Sequence, residues 1–242
     1  IFCGGDAKMV GASYVDLAGA TAHVNGTITM TGSAQFRDGL LVSTSTGFDL
    51  KGNNRIYSDV ATPVMPSPPW WGHISQWIHG TITVGPVPPQ MIEVDLEPFR
   101  LYAKATDSEG NNYKNVPWNY QYTDSYMSAD ELPNNGKLVI SGSSQKRVVP
   151  PGGVLWVEGS IKFAGSIQVH ACVIATGDIE VKGATTHRQA GGLPSVMSVN
   201  GDVEVGAGCD VYGLVYSHNG DIIVSGDAAV HGAFICPRGD FD

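Results

Sequence analysis

The chain has 242 residues, 31 glycines, only 15% charged residues and a formal net charge of −9. That is room for one large or two modest domains and the make-up of a turn-rich all-β protein. The acidic balance argues against a nucleic-acid backbone as the main partner, because phosphate binding needs clustered Lys and Arg, and Lys146-Arg147 is the only adjacent basic pair.

No run of about 18 apolar residues exists, so nothing in this sequence spans a membrane as a helix. The chain starts at Ile1 rather than Met, and the expectation is that an N-terminal segment has been removed. Any membrane attachment would run through a helix outside this sequence.

In chain order, Val24–Gly39 and Leu40–Val60 read as two N-terminal coils, carried by Gly26-Thr-Ile-Thr-Met and Gly47-Phe-Asp-Leu. Their TxT steps suggest an ice-binding face, but the run does not persist over enough coils. The passage Pro63–Pro89 breaks the pattern with seven prolines and with Trp70, Trp71 and Trp77. Prolines interrupt ladders and favour extended loops. Inside it, Gly80-Thr-Ile-Thr-Val reads as one more strand of the same kind. Asp95 is placed to cap a helix over Leu96–Ala105, with Pro98 in the first turn and Phe99, Tyr102 and Ala103 on one face. A second short helix is expected near Ser128–Leu132. Leu138-Val-Ile returns the chain to β structure.

Beyond residue 138 the repeat becomes regular. Gly159, Gly177, Gly201, Gly220 and Gly239 are spaced 18, 24, 19 and 19 residues apart. A period near 19 suits one coil of a β-solenoid, in which each coil buries its face against its neighbours. Counting from each glycine aligns Ile161, Ile179, Val203 and Ile222, then Phe163, Val181, Val205 and Val224. Cys172 falls with Val196, Val215 and Phe234, and Val169 with Val211 and Val230. Apolar residues alternate with outward Lys162, Glu180 and Glu204. His187–Pro194 reads as a loop inserted in the 24-residue coil. The whole chain is therefore read as a single all-β domain, a β-solenoid or β-helix of about 19-residue coils. Coils occupy residues 10–60 and 138–242, and an irregular Pro/Trp-rich insertion with its short helix occupies 61–137. Right-handed winding is the expectation.

This order of parts, with "VDLEPFRLYA", "PPGGVLWVEGSIKF" and repeats of "GDIEV", resembles the β-solenoid domain of PilX-type pilus-assembly proteins, large minor pilins of type IV pilus systems. The resemblance covers about Val10 to Asp242. It implies an extracellular or pilus-associated location at the cell surface, partnership with other pilin subunits, and a non-enzymatic role in cell adhesion, surface recognition or pilus assembly. Bactofilins, which are cytoskeletal polymers, use similar coils, and the alternative is a filament formed by solenoid ends. In that reading the edge after Phe234–Cys236 could template stacking, and Pro237 with the charged tail to Asp242 reads as edge protection. A DNA-capturing competence pilin is a weaker alternative.

Candidate sites follow from side-chain chemistry. Trp70, Trp71, Trp77, Trp118 and Tyr120 could stack on a surface glycan or anchor a host or cell-surface partner, or could pack the irregular passage. Asp178, Asp202 and Asp221 follow their coil glycines and would stack in a column. They would either bind calcium through their oxygens or cap turns through their own backbone. No other cofactor is implied. Glu180 and Glu204 on the outward face have the look of the acid/base pair of a carbohydrate-active β-helix, yet no groove of aromatics and cations accompanies them. His170 and His231 share a coil position with Tyr212 between them, too far apart to share a metal. No nucleophile elbow or metalloprotease motif occurs, and no catalytic residue is assigned. Of the four cysteines, Cys172 and Cys209 read as buried filler, Cys209 in a column with Ile167 and Ala228. Cys3 could pair with another cysteine in an oxidising compartment.

Overall fold

A computed structural model describes residues 1–67, 73–90, 92–107, 120–121, 124–143 and 146–242. The protein is an all-β solenoid of short parallel strands with one principal helix. The described chain falls into two compact units, Ile1–Ile92 with Cys236–Asp242, and Glu93–Ile235.

In the first unit each coil contributes up to three strands. Phe2–Cys3, Thr21–Val24, Leu41–Thr44 and Asp59–Thr62 build one face. Ala7–Met9, Thr27–Gly32 and Gly47–Gly52 build the second. Tyr14–Asp16, Gln35–Arg37 and Arg55–Ile56 build the third. The coils thus begin at Phe2, earlier than the expected residue 10. The Gly80 copy was expected to repeat the Gly26 and Gly47 strands. Its strand Ile82–Val84 instead pairs with Asp59–Thr62, on the first face. The glycine motif marks a tight corner between coils, and more than one corner has that requirement. Residues 236–242, read from the sequence as charged edge protection, are hydrogen-bonded to the first coil. Gly4 N donates to Cys236 O at 2.7 Å, Gly5 N to Gly239 O at 2.9 Å and Phe241 N to Asp6 O at 2.9 Å. Within the first unit, residues 236–242 therefore pair with the chain's own N-terminal segment.

The second unit repeats the three-strand coil. Arg147–Val148, Gln168–His170 and Thr186–Arg188 stack in register with the start of Asp210–Ser217. Val154–Val157, Cys172–Ala175 and Val196–Ser198 stack with its end. Lys137–Gly142, Ser160–Gly165, Ile179–Val181, Val203–Val205 and Ile222–Val224 form the third face. The Ile161 and Phe163 columns fall as the alternation predicts. The Cys172 column does not: Val173 pairs with Val196, and Cys172 pairs with Val154. The corner from Ala175 to Gly177 is one residue shorter than that from Ser198 to Gly201, so counting back from glycine slips by one. A one-residue slip moves a side chain to the other face of a strand. Cys172 accordingly faces outward with Val154, Trp156, Ile174, Met197 and Tyr216, and they are covered by Leu96 and by Ala103 of the helix α1 (Glu97–Asp107) that follows it. Burial on both faces explains why VLWV and CVIA are unbroken apolar runs whereas IEV and VEV alternate.

The helix starts where Asp95 Oδ1 accepts from Glu97 N at 3.1 Å, and it runs two residues past the predicted end. Ala103 is fully buried, but Tyr102 is exposed, so the apolar stripe is narrower than expected. The second helical stretch forms as a short 3-10 turn, Ala129–Glu131, closed by Ser128 N donating to Glu131 Oε2 at 2.9 Å, and continues into α2 (Pro133–Gly136).

Gly201 and Gly220, which open coils of the second unit, are required by close approach. A Cβ on Gly220 would lie 2.4 Å from Gly201 O, and one on Gly201 2.3 Å from an Asp178 carboxylate oxygen. No side chain fits there.

Candidate functional site

The aspartate column is a ladder of turn caps. Asp178 Oδ1 accepts from Asp202 N at 3.1 Å, and Asp202 Oδ1 accepts from Asp221 N at 2.9 Å. Ser160 Oγ serves Asp178 N in the same way. In the first unit Asp240 serves Asp6 N, Asp6 serves Thr27 N and Asp59 serves Thr81 N. Each carboxylate caps the next coil's amide rather than its own. Among the described residues no group of three His, Cys, Asp or Glu is placed to hold a metal ion.

Glu180 and Glu204 sit in register on the third face of the second unit within a lysine cluster. Lys137 and Lys162 (2.8 Å) bind the Glu180 carboxylate, and Lys182 bridges Glu180 at 3.1 Å and Glu204 at 2.8 Å. The Lys137 ammonium, then Lys162, holds the Glu180 carboxyl down at about 2. A general acid needs the opposite shift, so the cluster acts as an electrostatic clasp across coils.

Of the aromatic candidates, Trp77 is a core residue. It is 1% exposed, and its Nε1 donates to Gly52 O at 2.8 Å. It therefore has no surface to offer a glycan. Trp70, Trp71 and Trp118 lie outside the described residues. The backbone of Tyr120 forms a short strand with Gln121 beside Arg147–Val148.

The second unit presents a different outward feature. His187, expected to open a loop, is instead the centre of the strand Thr186–Arg188, fully buried between Val169 and Val211. That places Arg188 in register with His170 on one side and Tyr212 on the other, followed by His231. The neighbouring outward row reads Arg147, Gln168, Thr186, Asp210 and Ala229. The Arg188 guanidinium lies 4.7 Å from the Tyr212 ring centroid, and His231 stacks on the same ring at 4.5 Å. Burial, then the Arg147 and Arg188 charges, lowers the pKa of His170, as expected in a positive local field. Arg188 and His231 are exposed, while His170 and Tyr212 are half-buried. His170, Tyr212 and His231 are visible in the sequence as a shared coil position, whereas Arg188 is hidden because the expected loop His187–Pro194 includes it.

Comparison of the chain with protein-family models, curated proteins and solved structures found no match.

Proposed function

We propose that this protein is a non-enzymatic extracellular display solenoid, in the manner of a type IV pilus-associated minor pilin, that recognises an acidic surface glycan. The carrying observation is the ladder His170–Arg188–Tyr212–His231, flanked by Arg147, on one rigid sheet of a chain whose net charge is −9. Stacking on Tyr212 pre-orders the Arg188 fork, which lowers the entropy cost of engaging a carboxylate bidentately. Successive rungs are about 4.8 Å apart, so the ladder offers a repeating set of donors to a chain that carries repeating acidic groups. The capture of Glu180 by lysines supports a binding role over acid/base chemistry. The pilus setting rests on the sequence resemblance.

Binding to an immobilised polyuronate, against neutral dextran, tests the reading. The expected result is retention at low salt, its loss at high salt, and roughly a tenfold or greater weakening in Arg188→Ala and Tyr212→Ala. Equal retention on both matrices, or Arg188→Ala indistinguishable from the parent, overturns it. Preferential capture of DNA would move the protein to the competence reading. A bactofilin-like polymer would show as concentration-dependent sedimentation, and the pairing of residues 236–242 with the first coil counts against it.

A further inference from the structure

We propose that Cys3 and Cys236 are a redox pair that closes into a disulfide, locking the C-terminal segment onto the first strand. This does not depend on the glycan reading. Three observations in the first unit place the thiols together. Gly4 N donates to Cys236 O at 2.7 Å, as Asn25 N donates to Cys3 O where Cys3 is opposite Val24. The same offset sets Cys236 opposite Cys3 on adjacent strands. Both side chains are fully buried, and they are within hydrogen-bonding reach of each other. Adjacent strands lie about 4.8 Å apart, inside the roughly 4.4–6.8 Å span of Cα atoms that a disulfide bridges.

The position has a role that sulfur fills poorly. At the same corner elsewhere, hydroxyls tie turns together: Ser198 and Ser217 donate to Gly177 O and Gly201 O, each at 2.9 Å, and accept from Gly201 N and Gly220 N. Cys3 Sγ copies this toward Asp6 O at 3.1 Å and Gly239 O at 3.4 Å, and Cys236 Sγ lies 3.8 Å from Phe2 O. A thiol is a weaker donor than a hydroxyl, so cysteine ties this corner less firmly than serine does, and two neighbouring cysteines gain the capacity to bond each other. Cys172 and Cys209 have no such arrangement: Cys172 faces α1, and Cys209 Sγ is held by Gly183 O at 2.9 Å.

The oxidant is a low-molecular-weight disulfide such as oxidised glutathione. The Cys3 thiolate, favoured by its hydrogen bond to Cys236, attacks one sulfur of that disulfide when the two-residue first strand frays. One glutathione leaves as a thiol and a mixed disulfide remains. The Cys236 thiolate then displaces the second glutathione. Two electrons pass to the external disulfide, and the two protons from the cysteines end on the two released thiols.

The test is incubation of the whole chain with oxidised glutathione or with dithiothreitol, alkylation under denaturing conditions, and peptide mapping without reduction. The expected result is loss of two alkylatable thiols of the four, a cross-linked peptide pair containing Cys3 and Cys236, and a melting temperature about 5–10 °C higher than in the reduced chain. Cys3→Ser, which restores the corner hydroxyl, should fold, yield no cross-link and show no response to oxidant. Four free thiols after oxidation, or a cross-link that involves Cys172 or Cys209, overturns the proposal.

Discussion

His187 offers the sharpest test of the interior. It occupies a column of valines, with Val169 and Val211 on either side. Its ring meets Phe163 edge-on at 5.9 Å. Nε2 pairs with Ala171 O at 3.0 Å, and Nδ1 faces the Ser195 backbone without completing a hydrogen bond. Burial dominates and pushes the ring's pKa down from 6.5 to about 4. Since a tenfold change in proton affinity is worth about 1.4 kcal/mol, roughly 3 kcal/mol of stability is tied to the neutral ring. The unfolded chain takes up a proton near 6.5 while the folded ring does not until about 4. Between those values the unfolded state holds more protons, so the contribution is complete above 6.5 and is lost as pH falls toward 4. At pH 5 the loss amounts to about 2 kcal/mol.

His187→Val continues the valine column and removes the titration. At about pH 7.5 it should cost about 1–3 kcal/mol in lost packing and hydrogen bonding. At about pH 5 that deficit should shrink by about 2 kcal/mol, because only the parent is penalised. Urea denaturation of both proteins at the two pH values measures the difference, and contributions from His170 and the carboxylates cancel between them. A deficit that stays constant across pH would mean that His187 is charged or solvated in the folded state, and would refute its placement in the column.

Two other perturbations follow from the same geometry. Glu180→Gln removes the anion that three lysines share. The lysines are about a third exposed, so the stability cost, discounted for screening, is about 1–1.5 kcal/mol at neutral pH. Because the carboxyl's pKa is depressed on folding to about 2, that cost should vanish as pH falls from the ordinary carboxylate range toward 2; thermal melts that show a pH-independent cost would refute the clasp. Gly220→Ala drives a Cβ to 2.4 Å from Gly201 O, whereas Gly85→Ala meets nothing within 4 Å. The first should cost about 1–3 kcal/mol and the second less than about 0.5 kcal/mol, and equal melting temperatures would disprove the close-approach explanation.

The solenoid was legible because its causes are local and repeated. Glycine at the corners and period-two alternation on the third face each report a burial pattern directly. What counting from glycine could not supply was corner length: one residue fewer between Ala175 and Gly177 moved Cys172 to the opposite face. Gly80 misled for a related reason, since close approach of coils demands glycine at more than one corner. The loop His187–Pro194, expected from the extra length of the 24-residue coil, includes His187, and only the register with Val169 and Val211 reveals its place in the valine column. Trp77 lay among prolines that imply exposure, yet its indole reaches Gly52 O in the core. The outward ladder was hidden because outward positions carry no hydrophobic signal; their grouping is a property of register alone.

The two outward faces of the second unit make opposite use of charge. On the third face Lys137, Lys162 and Lys182 are spent on Glu180 and Glu204, and three cations already paired with two carboxylates have little left for a ligand. On the face built by Gln168–His170, Thr186–Arg188 and the start of Asp210–Ser217, Arg188 is held by the Tyr212 ring. Stacking on a ring fixes the position of a guanidinium without cancelling its charge. The same cross-coil spacing therefore produces a clasp where carboxylates face lysines and a presented cation where an aromatic faces an arginine. A recognition role belongs on the second kind of face. Exchanging Tyr212 for glutamate would convert one into the other, keeping Arg188 ordered while removing its capacity to meet an acidic partner.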